Sequence, residues 1–410
     1  MDYIRGVIFL ILLLFTSSCS KTDRKEPFRV IDVVGSVGSE KIINLSEIAE
    51  FVEYIPLETT LNSLFLGASN GGIFYEGNNI FVKNKLELLV FDNKGKFIRK
   101  ISRAGRGPGE YLSLGVHIPS GGNVIYIHNI DKHLEYDREG NFISERSFRD
   151  VGNIQAFTAI NKIGENLYAI EPFDCKDNAV ILVDSSLVTV GRVTMPSNFI
   201  NNSKTLSNGM PGSVAQWRGT FYNYNDSLRI TWFYDDYVVS IGNNSTGPDT
   251  LYRFEYGPYR LSPGKDDPRR ITGDLIRLHS YINESRRFLF MQFQMGSLAK
   301  NPRVMYPVGK YGQDRTFSVN INSAYYDKST GSFVFMEQPR VGQFGFNEDF
   351  HGGPAVWPLY ISSDNYMISL VNITELRHHV AENKVSEELR ALAATLSDQD
   401  NPVVIKVKLK

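Results

Sequence analysis

The chain has 410 residues, 42% of them hydrophobic, 12% aromatic and 22% charged. This is the composition of a globular chain with apolar surface for a large core, and it excludes wholesale disorder and collagen-like repeats. Forty-four basic against 45 acidic residues leave a formal charge of −1, so no extended basic footprint for nucleic acid is present. With 34 glycines, 17 prolines, 26 Phe and 21 Tyr, the chain leans towards strands and turns.

Residues 1–18 read as an export leader, with Arg5 ahead of an apolar run from Val7 to Phe15 that is too short to span a bilayer. Thr16-Ser17-Ser18-Cys19 resembles a relaxed bacterial lipobox, which implies a lipid attached to the Cys19 thiol and a cut just before it. Cys175 is the second of only two cysteines, so an acylated Cys19 leaves no intramolecular disulfide. Residues 19–40 are expected to be a tether, polar over SKTDRKEP.

From 41 to 410 a unit recurs in which a short aromatic and β-branched run ends in Asp and a tight turn. Asp92, Asp137, Asp184 and Asp327 close such runs, and Gly95, Gly140 and Gly331 supply the positive φ that these turns need. The first two aspartates are 45 residues apart and the next interval is 47, a period typical of a four-stranded propeller blade. Blades are expected at 67–102, 114–148, 153–195, 219–256 and 279–337. A sixth takes PAVWPLYI (354–361), NYMISLVN (365–372) and PVVIKVKLK (402–410), with FVEYIPLE (51–58) as its fourth strand. The fold class is therefore all-β: a six-bladed β-propeller whose N- and C-terminal strands close the ring and so remove both open edges. A short helical insertion at about 374–398 interrupts the last blade. Ser386 is its expected cap, and Leu389, Leu392, Ala393 and Leu396 share one face.

YIPLETT (54–60), LLVFDNKGKFIRKI, the loop GRGPGEY (105–111) and the closing helix followed by DNPVVIKVKLK together resemble the six-bladed β-propeller lipoproteins of Bacteroidales. That family is similar in turn to NHL-repeat propellers. The resemblance implies export and this fold; it implies no common activity.

No motif supplies a catalytic set, so no catalytic residue is assigned. Gly67-Ala68-Ser69-Asn70-Gly71 matches a nucleophile elbow, but the residues after it are β-patterned where a helix should start. Gly105 to Gly109 suggests a phosphate cradle, again without the following helix. The histidines, His117, His128, His133, His279, His351, His378 and His379, show no zinc spacing, and Asp235-Asp236 and Asp266-Asp267 lack the pattern of a calcium loop. No metal or cofactor is expected.

Position is more informative. In a four-stranded meander the connections from second to third strand share one end with the links to the next blade. The long stretches 196–218, 257–278, 296–315 and 338–353 all fall on that end, and loops on a rigid scaffold are where recognition resides. Candidate ligand-binding residues there are Arg103, Arg106, Glu110, Trp217, Arg218 and Trp357. The expected function is a non-catalytic, monomeric, lipid-anchored envelope protein facing the periplasm. It would bind a polar ligand such as a glycan, or an envelope protein, and would not bind nucleic acid. The alternative is an exported glycan-directed hydrolase or lyase with acidic or His residues converging at the channel mouth.

Overall fold

The computed structural model describes residues 28–65, 72–129, 132–149, 151, 157–172, 178–194, 220–232, 236–243, 247–262, 273–299, 301–307, 309–313 and 315–410. Two strands precede the first blade, β1 (Arg29–Asp32) and β2 (Ala49–Pro56). Blade one is β3 (Ile73–Glu76), β4 (Asn79–Asn84), β5 (Glu87–Asp92) and β6 (Phe97–Ser102). Blade two is β7 (Gly115–His117), β8 (Val124–His128), β9 (Lys132–Asp137) and β10 (Phe142–Ser147). Blade three is β11 (Phe157–Ile163), β12 (Leu167–Pro172), β13 (Asn178–Asp184) and β14 (Thr189–Thr194). Blade four is β15 (Thr220–Tyr224), β16 (Ser227–Thr231), β17 (Tyr237–Ile241) and β18 (Asp249–Glu255).

Blade five runs β19 (Arg277–Glu284), β20 (Phe288–Gln294), β23 (Ile321–Asp327) and β24 (Ser332–Met336). A separate ribbon, β21 (Arg303–Met305) with β22 (Phe317–Val319), is inserted between its second and third strands. Blade six is β25 (Tyr360–Ile361), β26 (Tyr366–Val371) and β27 (Val403–Leu409), with β2 outermost. The helices α1 (Ile373–Glu382) and α2 (Glu387–Thr395) lie between β26 and β27. The protein is thus a six-bladed β-propeller.

The strands follow from burial. Middle strands of a blade are covered on both faces by neighbouring blades and read as continuous apolar runs: Leu88 to Phe91 in β5 and Phe288 to Met291 in β20 are all essentially inaccessible. Outer strands alternate, as in β6, where Ile101 is buried between exposed Lys100 and Ser102. Burying each such side chain contributes about 1.5–3 kcal/mol, and apolar clusters form at all six joints between blades.

The recurring aspartates terminate the third strand of their blades by folding the next turn around a carboxylate. Asp92 Oδ1 accepts the amides of Lys94 and Lys96 at 2.9 Å each, Asp137 Oδ1 that of Asn141 at 2.7 Å, and Asp184 Oδ1 that of Ser186 at 2.8 Å. Gly95, Gly140 and Gly331 have φ of 82°, 86° and 74°.

The ring closes as the sequence implies: β2 pairs antiparallel with β27, Val52 opposite Val407 and Pro56 opposite Val403. The innermost strand of blade six is shorter than the stretch 354–361, because Pro354 and Pro358 cannot donate to a ladder. From Arg29 on, the stretch read as a tether is instead packed against the ring. Its pattern places Ile31 and Val33 inside the joint between blades four and five, both fully buried, while β1 adds to β18 as a parallel fifth strand. The chain then crosses the edge of blade five, where Lys41 N donates to Phe335 O and Glu337 N to Lys41 O, before entering blade six as β2. Residues 29–56 therefore strap the outer edges of blades four, five and six.

The helical insertion is two helices joined by a short link. Ser386 Oγ caps α2 by accepting from Leu389 N at 3.2 Å, and Asn372 caps α1 by accepting from Glu375 N at 2.8 Å. Their apolar faces, with Leu376, Val380, Leu389 and Ala393 buried, pack into the joint between blades five and six.

Candidate functional site

Strand order fixes which connections share an end. The links 195–219, 256–276 and 337–359 run from an outer strand to the next inner strand, while 295–320 and 372–402 run from a second to a third strand. In an antiparallel meander all five emerge at one end, called here the elaborated end. The helices α1 and α2 lie there, as does the β21–β22 ribbon. At the opposite, short-turn end the hairpins are as tight as Gly77-Asn78 and Asn225-Asp226, which sit at positive φ.

The loop 105–111 is held by its own residues. Glu110 Oε2 accepts Gly107 N at 2.7 Å and occupies the space where a Cβ on Gly105 would project. Gly109 N donates to Glu145 Oε2 at 2.9 Å, its carbonyl accepts the Tyr136 hydroxyl at 2.6 Å, and buried Tyr111 donates to Leu86 O at 3.0 Å. Arg103 and Glu110 line an open polar groove of about 550 Å³ with Lys100, Ser102, Pro108 and Glu139, between blades one and two. Arg106 is exposed on the same loop.

Trp357 is not beside them. It is 7% exposed, stacked at 6.2 Å on Phe346 and edge-on to Phe290 at the joint of blades five and six, so it is a core residue. Trp217, Arg218 and Cys19 lie outside the described residues, as do the G-x-S-x-G pattern, Asp235 and Asp266-Asp267.

Two polar constellations escaped motif reading. At the joint of blades two and three, the apolar cluster gives way to a seam of His117, Tyr126, His128, His133 and Glu135 facing Lys162 and Tyr168. Nδ1 of His133 is 3.2 Å from Nδ1 of His128, His133 Nε2 is 3.6 Å from Glu135 Oε1, and Lys162 Nζ reaches that oxygen at 2.7 Å. A proton on His133 Nε2 suits the Glu135 carboxylate; His133 Nδ1 then accepts from His128 Nδ1. His117, on the inner strand of blade two, meets Asn223 on that of blade four at 3.4 Å. Burial, then His133, lowers His117 to about 4; burial, then its two neighbours, takes His128 well below its usual value. The facing His133 imidazole, 3.6 Å away, and the Lys162 ammonium hold Glu135 at about 2.

The second constellation fastens the elaborated end. Buried Glu348 accepts the amides of Phe350, His351 and Gly353 and the Tyr54 hydroxyl, while His379 bridges Gln343 and Gly352 O at 2.9 and 2.8 Å. No local spacing could reveal either set, since each draws on separate strands or loops; the one local cue is His133 and Glu135, two apart on β9 and hence on one face. Among the described residues no group of three His, Cys, Asp or Glu is arranged to hold a metal ion.

The sequence pattern of DUF4934, a domain of unknown function, matches residues 28–408, nearly the whole chain. The chain belongs to the DUF4934 family. Among solved structures, this DUF4934 propeller is similar to a putative exported protein of Bacteroides fragilis. Identity is 16%, the TM-score is 0.63, and the match covers 93% of this chain and 99% of the other. At that identity the likeness shows the shared fold. A member of the DUF4221 family from Bacteroides vulgatus matches at 12% identity with a TM-score of 0.49, covering 88% and 97% of the two chains. No curated protein matches the sequence. Among the described residues of this DUF4934 chain, no helix is long and apolar enough to cross a membrane.

Proposed function

We propose that this DUF4934 propeller is an exported, lipid-anchored, non-catalytic binding protein, monomeric and facing the periplasm, which engages a polar ligand or an envelope protein at its elaborated end. The observation that carries this reading is that all five long connections emerge at one end of a rigid ring. The buried carboxylates are engaged in holding the fold together: Glu76, Glu284 and Glu348 each accept several protein hydrogen bonds. Strand β1 adds an orientation. It runs parallel to β18, towards the elaborated end, so the chain approaches it from the short-turn side. Nine residues separate Cys19 from Arg29, a reach of about 36 Å at most. An anchor at Cys19 would therefore keep the short turns near the bilayer and present the elaborated end outward.

Replacing Cys19 by Ala should move the protein from the detergent-extractable membrane fraction into the soluble fraction, because each buried lipid methylene contributes about 0.8 kcal/mol. Unchanged partition would refute the anchor. Arg103, Arg106, Glu110, Trp217 and Arg218 remain the proposed contacts at or near this end. Trp217→Ala and Arg218→Ala should weaken binding without lowering the melting temperature, and a loss of stability alone would assign both to the fold.

A second reading, an exported hydrolase or lyase acting on glycans, draws on the cluster of His117, His128 and His133. Against it, Nε2 of both His128 and His133 is sealed from solvent, where it could not exchange a proton with a substrate. Hydrolysis of a glycan panel abolished by His133→Gln would favour the enzyme.

A further inference from the structure

The ribbon β21–β22 carries a buried charge with no ion-pair partner among the described residues. Arg303 is 9% exposed, and its guanidinium lies over the Phe344 ring, 3.9 Å from the centroid. It makes one hydrogen bond, from Nη2 to Ser323 Oγ at 2.9 Å. No carboxylate comes within ion-pair distance of it among the described residues. Glu337 shares the crevice, but its Oε1 accepts from Asn301 Nδ2 at 3.2 Å. Burial alone lowers Arg303 to about 10; burial first, and then Arg277 and Arg303, lower nearby His279. Arg303 is thus a buried cation between blades five and six at the elaborated end.

A buried guanidinium without a counter-ion opposes folding unless something else recovers the lost hydration. Of its five N–H donors one is used by Ser323. Stacking on Phe344 covers a face of the group and leaves its edge for an in-plane partner, the geometry in which arginine grips a carboxylate with two parallel hydrogen bonds. The crevice walls include Ile321, Met336 and Phe344 beside Ser323 and Gln338. The free space beside the guanidinium is about 10 Å³, room for one water, so a single planar carboxylate at the open mouth suits it better than a tetrahedral dianion that would demand several cations.

We propose that Arg303 is the anchor of an anion subsite that receives a carboxylate end group of the ligand bound at the elaborated end. The assignment rests on the reading of that end as the binding face, and names the chemical class of what binds there: a carboxylate-bearing molecule, whether a sugar acid or a peptide terminus.

The test is thermal unfolding of the purified protein titrated with sodium glucuronate, sodium acetate or acetylglycine, against sodium chloride and inorganic phosphate at equal ionic strength. The carboxylates should raise the midpoint of the wild type saturably, and chloride and phosphate should not. Arg303→Met, of similar length and uncharged, should melt at least as high as the wild type without ligand and lose the carboxylate response. A sugar acid acting alone, or acetylglycine acting alone, tells the two sources apart. The proposal is overturned if Arg303→Met melts lower in chloride and retains the carboxylate response, or if phosphate stabilises equally. Should the variant not fold, the arginine Nε–H spectrum of the wild type carries the test: one resonance should shift saturably with acetate, and none shifting contradicts the subsite. Loss of the subsite while ligand contacts still map to the elaborated end would remove Arg303 and leave the binding face standing.

Discussion

The carboxylate of Glu76, on the last residue of blade one's inner strand, accepts the hydroxyl of Tyr360 on the inner strand of blade six at 2.9 Å. Ser363 completes the clasp with its amide at 2.8 Å and its hydroxyl at 2.5 Å. Glu284 ends the inner strand of blade five in the same way, and accepts Tyr222 and Tyr252 of blade four at 3.0 Å each, with Lys328 Nζ also at 3.0 Å. At two of the six joints, then, a buried carboxylate at the short-turn end grips the preceding blade. Glu76→Ala leaves the Tyr360 and Ser363 donors without their acceptor, and should cost about 2–3 kcal/mol. An unchanged denaturant midpoint would show the clasp to be incidental.

Removal of residues 403–410 should destabilise the whole ring. It deletes β27, which lies between β26 and β2, buries Val403, Val404, Ile405 and Val407 almost completely, and leaves two sheet edges open. The expected outcome is loss of the single cooperative transition in calorimetry. A truncated chain that melts cooperatively near the original temperature would contradict closure by the chain ends.

Ring closure was legible in the sequence because its signal is local: two apolar strands at the chain ends lacked partners, and the Asp turns at 92, 137 and 184 marked the period. Ser386 was legible as a cap for the same reason. The strap was not, since FRVIDVV is short and follows a polar run, and only the joint of blades four and five gives Ile31 and Val33 somewhere to be buried. Trp357 was misplaced because position in a long loop says nothing of which way a ring turns; Phe346 and Phe290 take it inward. The His seam and Arg303 depend on contacts between blades and on a missing counter-ion, neither of which any spacing records.

The seam makes stability depend on pH. Unfolded imidazoles titrate near 6.5, whereas His117 in the folded protein titrates at about 4, and His128 and His133 are also lowered, chiefly by burial. Between those values the unfolded chain binds more protons, so stability present above pH 6.5 is lost as pH falls towards 4, by up to about 1.4 kcal/mol per pH unit for each histidine. His128→Gln should flatten that slope in denaturant titrations from pH 7 to 4. An unaltered slope would mean that the seam is not what titrates.

The claim that binding belongs to the elaborated end is tested most directly by photocrosslinking in cells producing the full chain. A photoreactive residue would be placed singly at exposed Phe317, Val341 and Arg377 on that end, and at exposed Lys94 and Ser186 in the short turns. Adducts, of small molecules as well as proteins, would be read by mass. The account predicts discrete adducts from the first three positions and none from the other two. Adducts confined to Lys94 and Ser186, or spread evenly over all five, would contradict it.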